Sequence, residues 1–163
     1  MNFLSFKILF MKDGRNEIAL RTLNLAKRYL ENAKEELKKS PIDRKNGIYE
    51  DVKYVSSACG KAHLSALEAL KALFINEGLL NEKEIKGKLK KVDMYDYYLG
   101  KLNHLGKDRD NLIRLFDEVY KILHLGGYYR ELQDKKAIDS GFEKVEKIIK
   151  IVEIYVNLKL KDQ

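Results

Sequence analysis

The sequence predicts an all-α fold, an antiparallel four-helix bundle with an additional short helical excursion. Apolar residues recur at three- and four-residue spacing over long stretches, the mark of helices that bury one face. The 163 residues include one proline, and 45% of them are hydrophobic, enough for one continuous core. Nothing beyond the first ten residues reads as a convincing strand. The whole chain, 1–163, is therefore expected to form a single helical domain, with 1–15 a loosely attached N-terminal segment.

The first ten residues are mostly apolar but lack the basic start and small-residue cleavage site of a secretion signal. Two readings stay open for them: an extended segment packed on the bundle, or an upstream start with Met11 as the natural first residue. The first helix is expected over 16–39, where Ile18, Leu20, Leu23, Leu25, Ala26, Tyr29, Leu30, Ala33 and Leu37 recur at three- and four-residue spacing. Ser40–Pro41 stops it, because proline disfavours α geometry in the residue before it, and Pro41 to Gly47 reads as a short polar loop. The second helix, 48–77, carries a seam of small residues at Cys59, Ala62, Ala66 and Ala69 that lets another backbone approach closely. Gly78 supplies its left-handed close. Asn81 and Glu84 form a capping pair for a short helix over 82–91, and a second short segment follows over 93–103. Asp108 reads as the cap of a helix over 109–125, ended by Gly126 and Gly127. The last helix is expected from about Ser140 or slightly earlier to Lys159, with Ser140 and Glu143 as its capping pair. With no fixed internal repeat, this order suits a bundle and not a solenoid.

Lys and Arg number 32 against 25 Asp and Glu, a net charge of +7 that favours acidic partners. Most of these cations alternate with acids along helix surfaces, which is ordinary solvated patterning. The lone cysteine, Cys59, excludes an internal disulfide and suits a reducing compartment, so a cytoplasmic location is expected. Its small, apolar neighbours read as a buried thiol. No stretch is long and apolar enough for a membrane span, and no membrane partner is expected.

Phosphate-cradling glycine loops and a serine nucleophile elbow are absent, so nucleotide hydrolysis lacks its usual apparatus. No cofactor is implied. The three histidines, His63, His104 and His124, have no i, i+4 histidine partner of the kind a helical metal pair needs, and no metal is expected. His63 reads as a satisfied core or interface histidine. His124 reads as a helix C-terminal histidine whose protonated form the helix dipole favours. The segment Lys83, Lys86, Lys88, Lys90 and Lys91, followed by Tyr95, Tyr97 and Tyr98, pairs phosphate-binding charge with stackable rings, a nucleic-acid signal. The competing reading packs these tyrosines on the bundle or on a second subunit. Tyr128, Tyr129 and Arg130 form a second aromatic and basic cluster, read either as a turn anchor or as a ligand contact.

The stretch KYVSSACGKAHLSALEALKALFINEGL, 53–79, followed by RDNLIRLFDEVYKILHLGGYY, 109–129, resembles the HEPN superfamily of small helical bundles. That resemblance implies association with RNA, nucleotides or a second copy of the chain, without deciding activity. It also implies a catalytic Arg followed four to six residues later by His in the ribonuclease branch. This chain departs from that motif: nine residues separate Arg114 from His124, and Arg109 is farther still. Arg109, Arg114 and His124 are the residues an RNA-processing alternative would use. Missing catalytic chemistry favours a non-catalytic interaction module, expected as a homodimer with a protein partner; RNA-processing or nucleotide binding is the alternative.

Overall fold

The structure is a computed structural model that describes residues 3–87, 89 and 92–161. Lys88, Lys90 and Lys91 of the basic segment lie outside the described residues. The first helix, α1, spans Phe3–Lys38. Its buried residues Ala19, Leu23, Ala26, Leu30, Ala33 and Leu37 alternate spacings of four and three, which keeps them on one stripe. The stretch expected as an extended N-terminal segment is helical backbone from Phe3 onward.

The loop expected over 41–47 instead opens a small antiparallel hairpin, β1 Ile42–Asp43 and β2 Ile48–Tyr49. Asp43 holds its turn by accepting from the backbone of Lys45 and Asn46, and Gly47 takes the left-handed φ of 66° that the turn requires. The second helix, α2 Val52–Asn76, consequently starts four residues later than expected, capped by the Asp51 carboxylate on the Lys53 N–H. At its other end Gly78, at φ 71°, closes the helix: Leu79 N–H donates to Phe74 O and Gly78 N–H to Ile75 O.

Asn81 caps α3 as expected, but α3 covers only Glu82–Lys86 before Gly87 ends it. Helix α4, Val92–Gly100, completes the excursion, and a single 3-10 turn leads into α5, Lys107–Val119. Gly106, and not Asp108, precedes α5; the Asp108 carboxylate accepts the Tyr155 hydroxyl instead. At Val119 the chain widens into a ten-residue π-helix, Tyr120–Tyr129. The last helix, α6 Lys135–Lys161, starts before Ser140, because Asp134 accepts from the Ala137 N–H and caps it there.

Four long helical rods therefore alternate in direction. Ser65 donates to Ala26 O while Asn16 donates to Asn76 Oδ1, so α2 runs antiparallel to α1. Lys27 pairs with Glu153 and Lys34 with Glu146, so α6 also runs antiparallel to α1. The Lys144–Glu118 and Tyr155–Asp108 pairs set α5 antiparallel to α6. Helix α2 is the core of this arrangement. Its seam Ala58, Cys59, Ala62, Ala66 and Ala69 is fully buried, and small side chains there let the neighbouring helices close in. Among the described residues, no helix is long and apolar enough to cross a membrane.

Candidate functional site

The π-helix lies along α2, and each rung of the contact pairs residues at helical spacing. Ser56 Oγ donates to Tyr128 O at 3.1 Å. Gly60 faces the Tyr128 ring so closely that a Cβ there would sit 3.0 Å from Tyr128 Cδ2. His63 meets Tyr120 and His124. On the opposite element Tyr120, His124 and Tyr128 recur every four residues, and on α2 Ser56, Gly60 and His63 recur at four and three.

Helix packing turns these side chains into a stack running from core to surface. Phe116 and His63 lie 6.4 Å apart at 12°, His63 and His124 4.4 Å at 26°, and His124 and Tyr128 6.0 Å at 12°. Tyr129 closes the outer end, perpendicular to both His124 and Tyr128 at 5.0 Å. Exposure climbs along the stack from 1% at Phe116 and 5% at His63 to 46% at Tyr128 and 65% at Tyr129.

Burial and electrostatics set the protonation states. Desolvation, with the neighbouring His124 adding to it, pushes the His63 imidazole down to about 4. Burial lowers His124 as well. The helix continues five residues past His124 to Tyr129, so His124 is not the C-terminal histidine expected from the sequence, and desolvation outweighs any dipole effect. His63 is likewise not a satisfied core histidine: its Nε2 is buried with no hydrogen-bond partner. Cys59 packs against Gly127, and burial pushes its thiol up to about 12, which keeps it protonated.

Two residues past the end of the π-helix, Glu131 has φ 54°, a left-handed backbone in a non-glycine residue. Such strain, a long π-helix and an orphaned buried nitrogen are features that concentrate at functional positions. Here the π-helix packs His124 against His63 of α2, and the strained Glu131 follows two residues past its end. What the arrangement offers chemically is a graded aromatic face with two imidazoles held neutral by burial.

Of the residues singled out from the sequence, His124, Tyr128 and Tyr129 come together in this stack, with Arg130 exposed at its edge. Arg109 is turned away, donating to Asn103 and Asp110, and Arg114 pairs with Glu118 at 3.4 Å; neither reaches His124. Tyr95 is buried between Phe74 and Phe116, and Tyr98 packs on Phe74 while donating to Glu84 Oε2 at 2.9 Å. Only Tyr97 of the three is exposed, with Lys101 Nζ 4.3 Å from its ring centroid. Lys83 and Lys86 are exposed on α3. His63, Phe116, Tyr120, Ser56 and Gly60 were missed as site residues. The four-residue recurrence of Tyr120, His124 and Tyr128 was the signal available for them. Among the described residues, no group of three or more His, Cys, Asp or Glu is placed to hold a metal ion.

Comparison with known proteins adds a family. The model of a domain of unknown function, DUF5618, matches residues 21–154. No curated protein matches the chain. Among solved structures the chain is similar to a protein of unknown function from Dyadobacter fermentans, with 33% identity over 83% of this chain and 95% of that one and a TM-score of 0.64.

Proposed function

The chain belongs to the DUF5618 family, and from that premise we propose that it is a non-catalytic, HEPN-like helical interaction module that works as a homodimer. The observation that carries this reading is the ring stack from Phe116 to Tyr129, whose outer tyrosines stand in solvent on a helical segment packed along α2. Tyrosine on a rigid base is a typical anchor of protein interfaces, because the ring buries much area with little rotamer entropy to lose. Beside it, burial holds the thiol protonated and both imidazoles neutral. Light scattering on the purified protein over a concentration series tests the proposal. Dimer formation that Tyr129→Ala weakens supports it, and a strictly monomeric wild type at high concentration overturns the homodimer.

A second reading, RNA or nucleotide binding, is favoured by Arg130 beside the exposed Tyr129 on a chain of net charge +7. It predicts a complex with a mixed RNA pool that weakens steeply with salt. RNA recovered intact keeps the non-catalytic reading, whereas cleaved RNA replaces it with an enzyme.

A further inference from the structure

A groove of about 460 Å³ opens between the end of α1, the hairpin and the first half of α6, and it shares no residue with the ring stack. It opens where α1 stops alongside α6. Along these two helices Lys27 pairs with Glu153, and one heptad further on Lys34 pairs with Glu146. A further heptad would bring position 41 opposite position 139, but α1 has stopped at Lys38 and position 41 is proline. The Asp139 carboxylate is taken instead by the Tyr49 hydroxyl, at 2.5 Å, and by Lys135. Helix α1 thus ends four residues past the Lys34–Glu146 rung, and the groove opens beside its end.

Its floor is apolar, with Leu37 and Phe142 nearly buried and Ile42 42% exposed. Lys38 on one wall and Glu143 on the other, unlike the paired Lys34, Glu146 and Asp139, have no ion-pair partner among the described residues. The volume falls in the range of small-ligand sites, roughly 300–1,000 Å³, which combine an apolar lining with a few placed polar groups.

We propose that this groove binds a short zwitterion with an apolar body, the chemistry shared by a free apolar amino acid and a short apolar peptide. The apolar side chain covers Ile42 and Phe142, the carboxylate goes to Lys38 and the ammonium to Glu143. Two opposite free charges flanking an apolar floor select against purely cationic or purely anionic ligands, each of which leaves one wall unpaired.

The test is an NMR titration of the full-length labelled protein with L-phenylalanine, with 2-phenylethylamine and 3-phenylpropionate as its single-charge analogues, and with the tripeptide Ala-Phe-Ala. Shifts that cluster at Ile42, Phe142 and Glu143 are expected. Each single-charge analogue, and L-phenylalanine on Glu143→Gln or Lys38→Met, should bind about two- to five-fold more weakly, the scale of one exposed ion pair. Both variants alter exposed side chains, and unchanged spectra away from the groove check their fold. A stronger response to the tripeptide assigns the groove to a peptide, and a stronger response to L-phenylalanine assigns it to a free amino acid. Absence of shifts from either zwitterion, or analogues and variants that bind as tightly as the parent pair, overturns the proposal.

Discussion

His63 and His124 stack face to face with ring centroids 4.4 Å apart, one imidazole on α2 and the other on the π-helix. Two imidazoles at that distance cannot both carry protons without repulsion in a site that already penalises charge. Their neutrality is therefore part of what holds the π-helix on α2.

That relationship makes the fold sensitive to acid. The unfolded His63 titrates at 6.5 and the folded one at about 4, so the unfolded state binds more protons between these values. Stability is fully present above the upper value and falls as pH drops toward the lower one. The shift corresponds to an order of about 3 kcal/mol. Urea denaturation at pH 7, 5.5 and 4 on wild type and His63→Leu checks this. The variant should show a shallower loss over that interval, and equal slopes would mean that groups other than His63 set the acid response.

Gly127 is the point of closest approach between the π-helix and α2: a Cβ added there would lie 2.3 Å from Cys59 Sγ and 2.7 Å from Cys59 Cβ. Gly127→Ala should destabilise by about 1–3 kcal/mol, the usual cost of overpacking a filled core. Because the Cβ is also in the way, Cys59→Ala should not relieve the clash, whereas Cys59→Gly should. A double-mutant cycle on melting temperatures would show favourable coupling for the glycine pair and little for the alanine pair.

That same glycine explains where reading the sequence stopped short. Gly126–Gly127 reads as a helix stop, yet the helix runs through both, because glycine is also what permits helix contact this close. Local rules served well where the deciding contacts are local: the alternating stripe of α1, the Asn81 cap and the Gly78 close all follow from neighbours in sequence. The hairpin escaped because two-residue strands carry no alternation to detect, and its bonds to the chain before α6, such as Tyr49 N–H to Gln133 O at 3.0 Å, join distant segments. His124 and the tyrosines after it stood out as a group. Their partner His63, 61 positions earlier, becomes visible only when α2 is packed alongside.

Asn16 and Asn76 form a buried amide pair at the far end of the α1–α2 contact. Asn16 Nδ2 donates to Asn76 Oδ1 at 3.0 Å and to Val156 O at 3.3 Å, while Asn76 Nδ2 donates to Tyr155 O. This pair ties three helices together. Asn16→Ala should cost about 1–3 kcal/mol by leaving buried amide and carbonyl groups short of a partner. Asn16→Leu with Asn76→Leu should recover part of that loss, since neither amide is then stranded. If the double variant is no better than the single ones in chemical denaturation, the amides are not acting as a pair.

The outer tyrosines separate a binding role from a structural one. Tyr129 is 65% exposed and touches the protein mainly through ring edges and faces, whereas Tyr128 packs on Gly60 and its backbone carbonyl accepts from Ser56. Tyr129→Ala should therefore change folding stability by no more than about 0.5 kcal/mol, the ordinary range for surface substitutions. Gly60→Val, which pushes a side chain into the Tyr128 ring, should cost more, because the nearest ring atom would lie only 3.0 Å from the new Cβ and must move. Melting curves for the two variants, measured beside their self-association by light scattering, divide the two roles. Association lost in Tyr129→Ala at unchanged melting temperature would assign the ring to an interface; association unchanged while stability falls would make it a lid over His124.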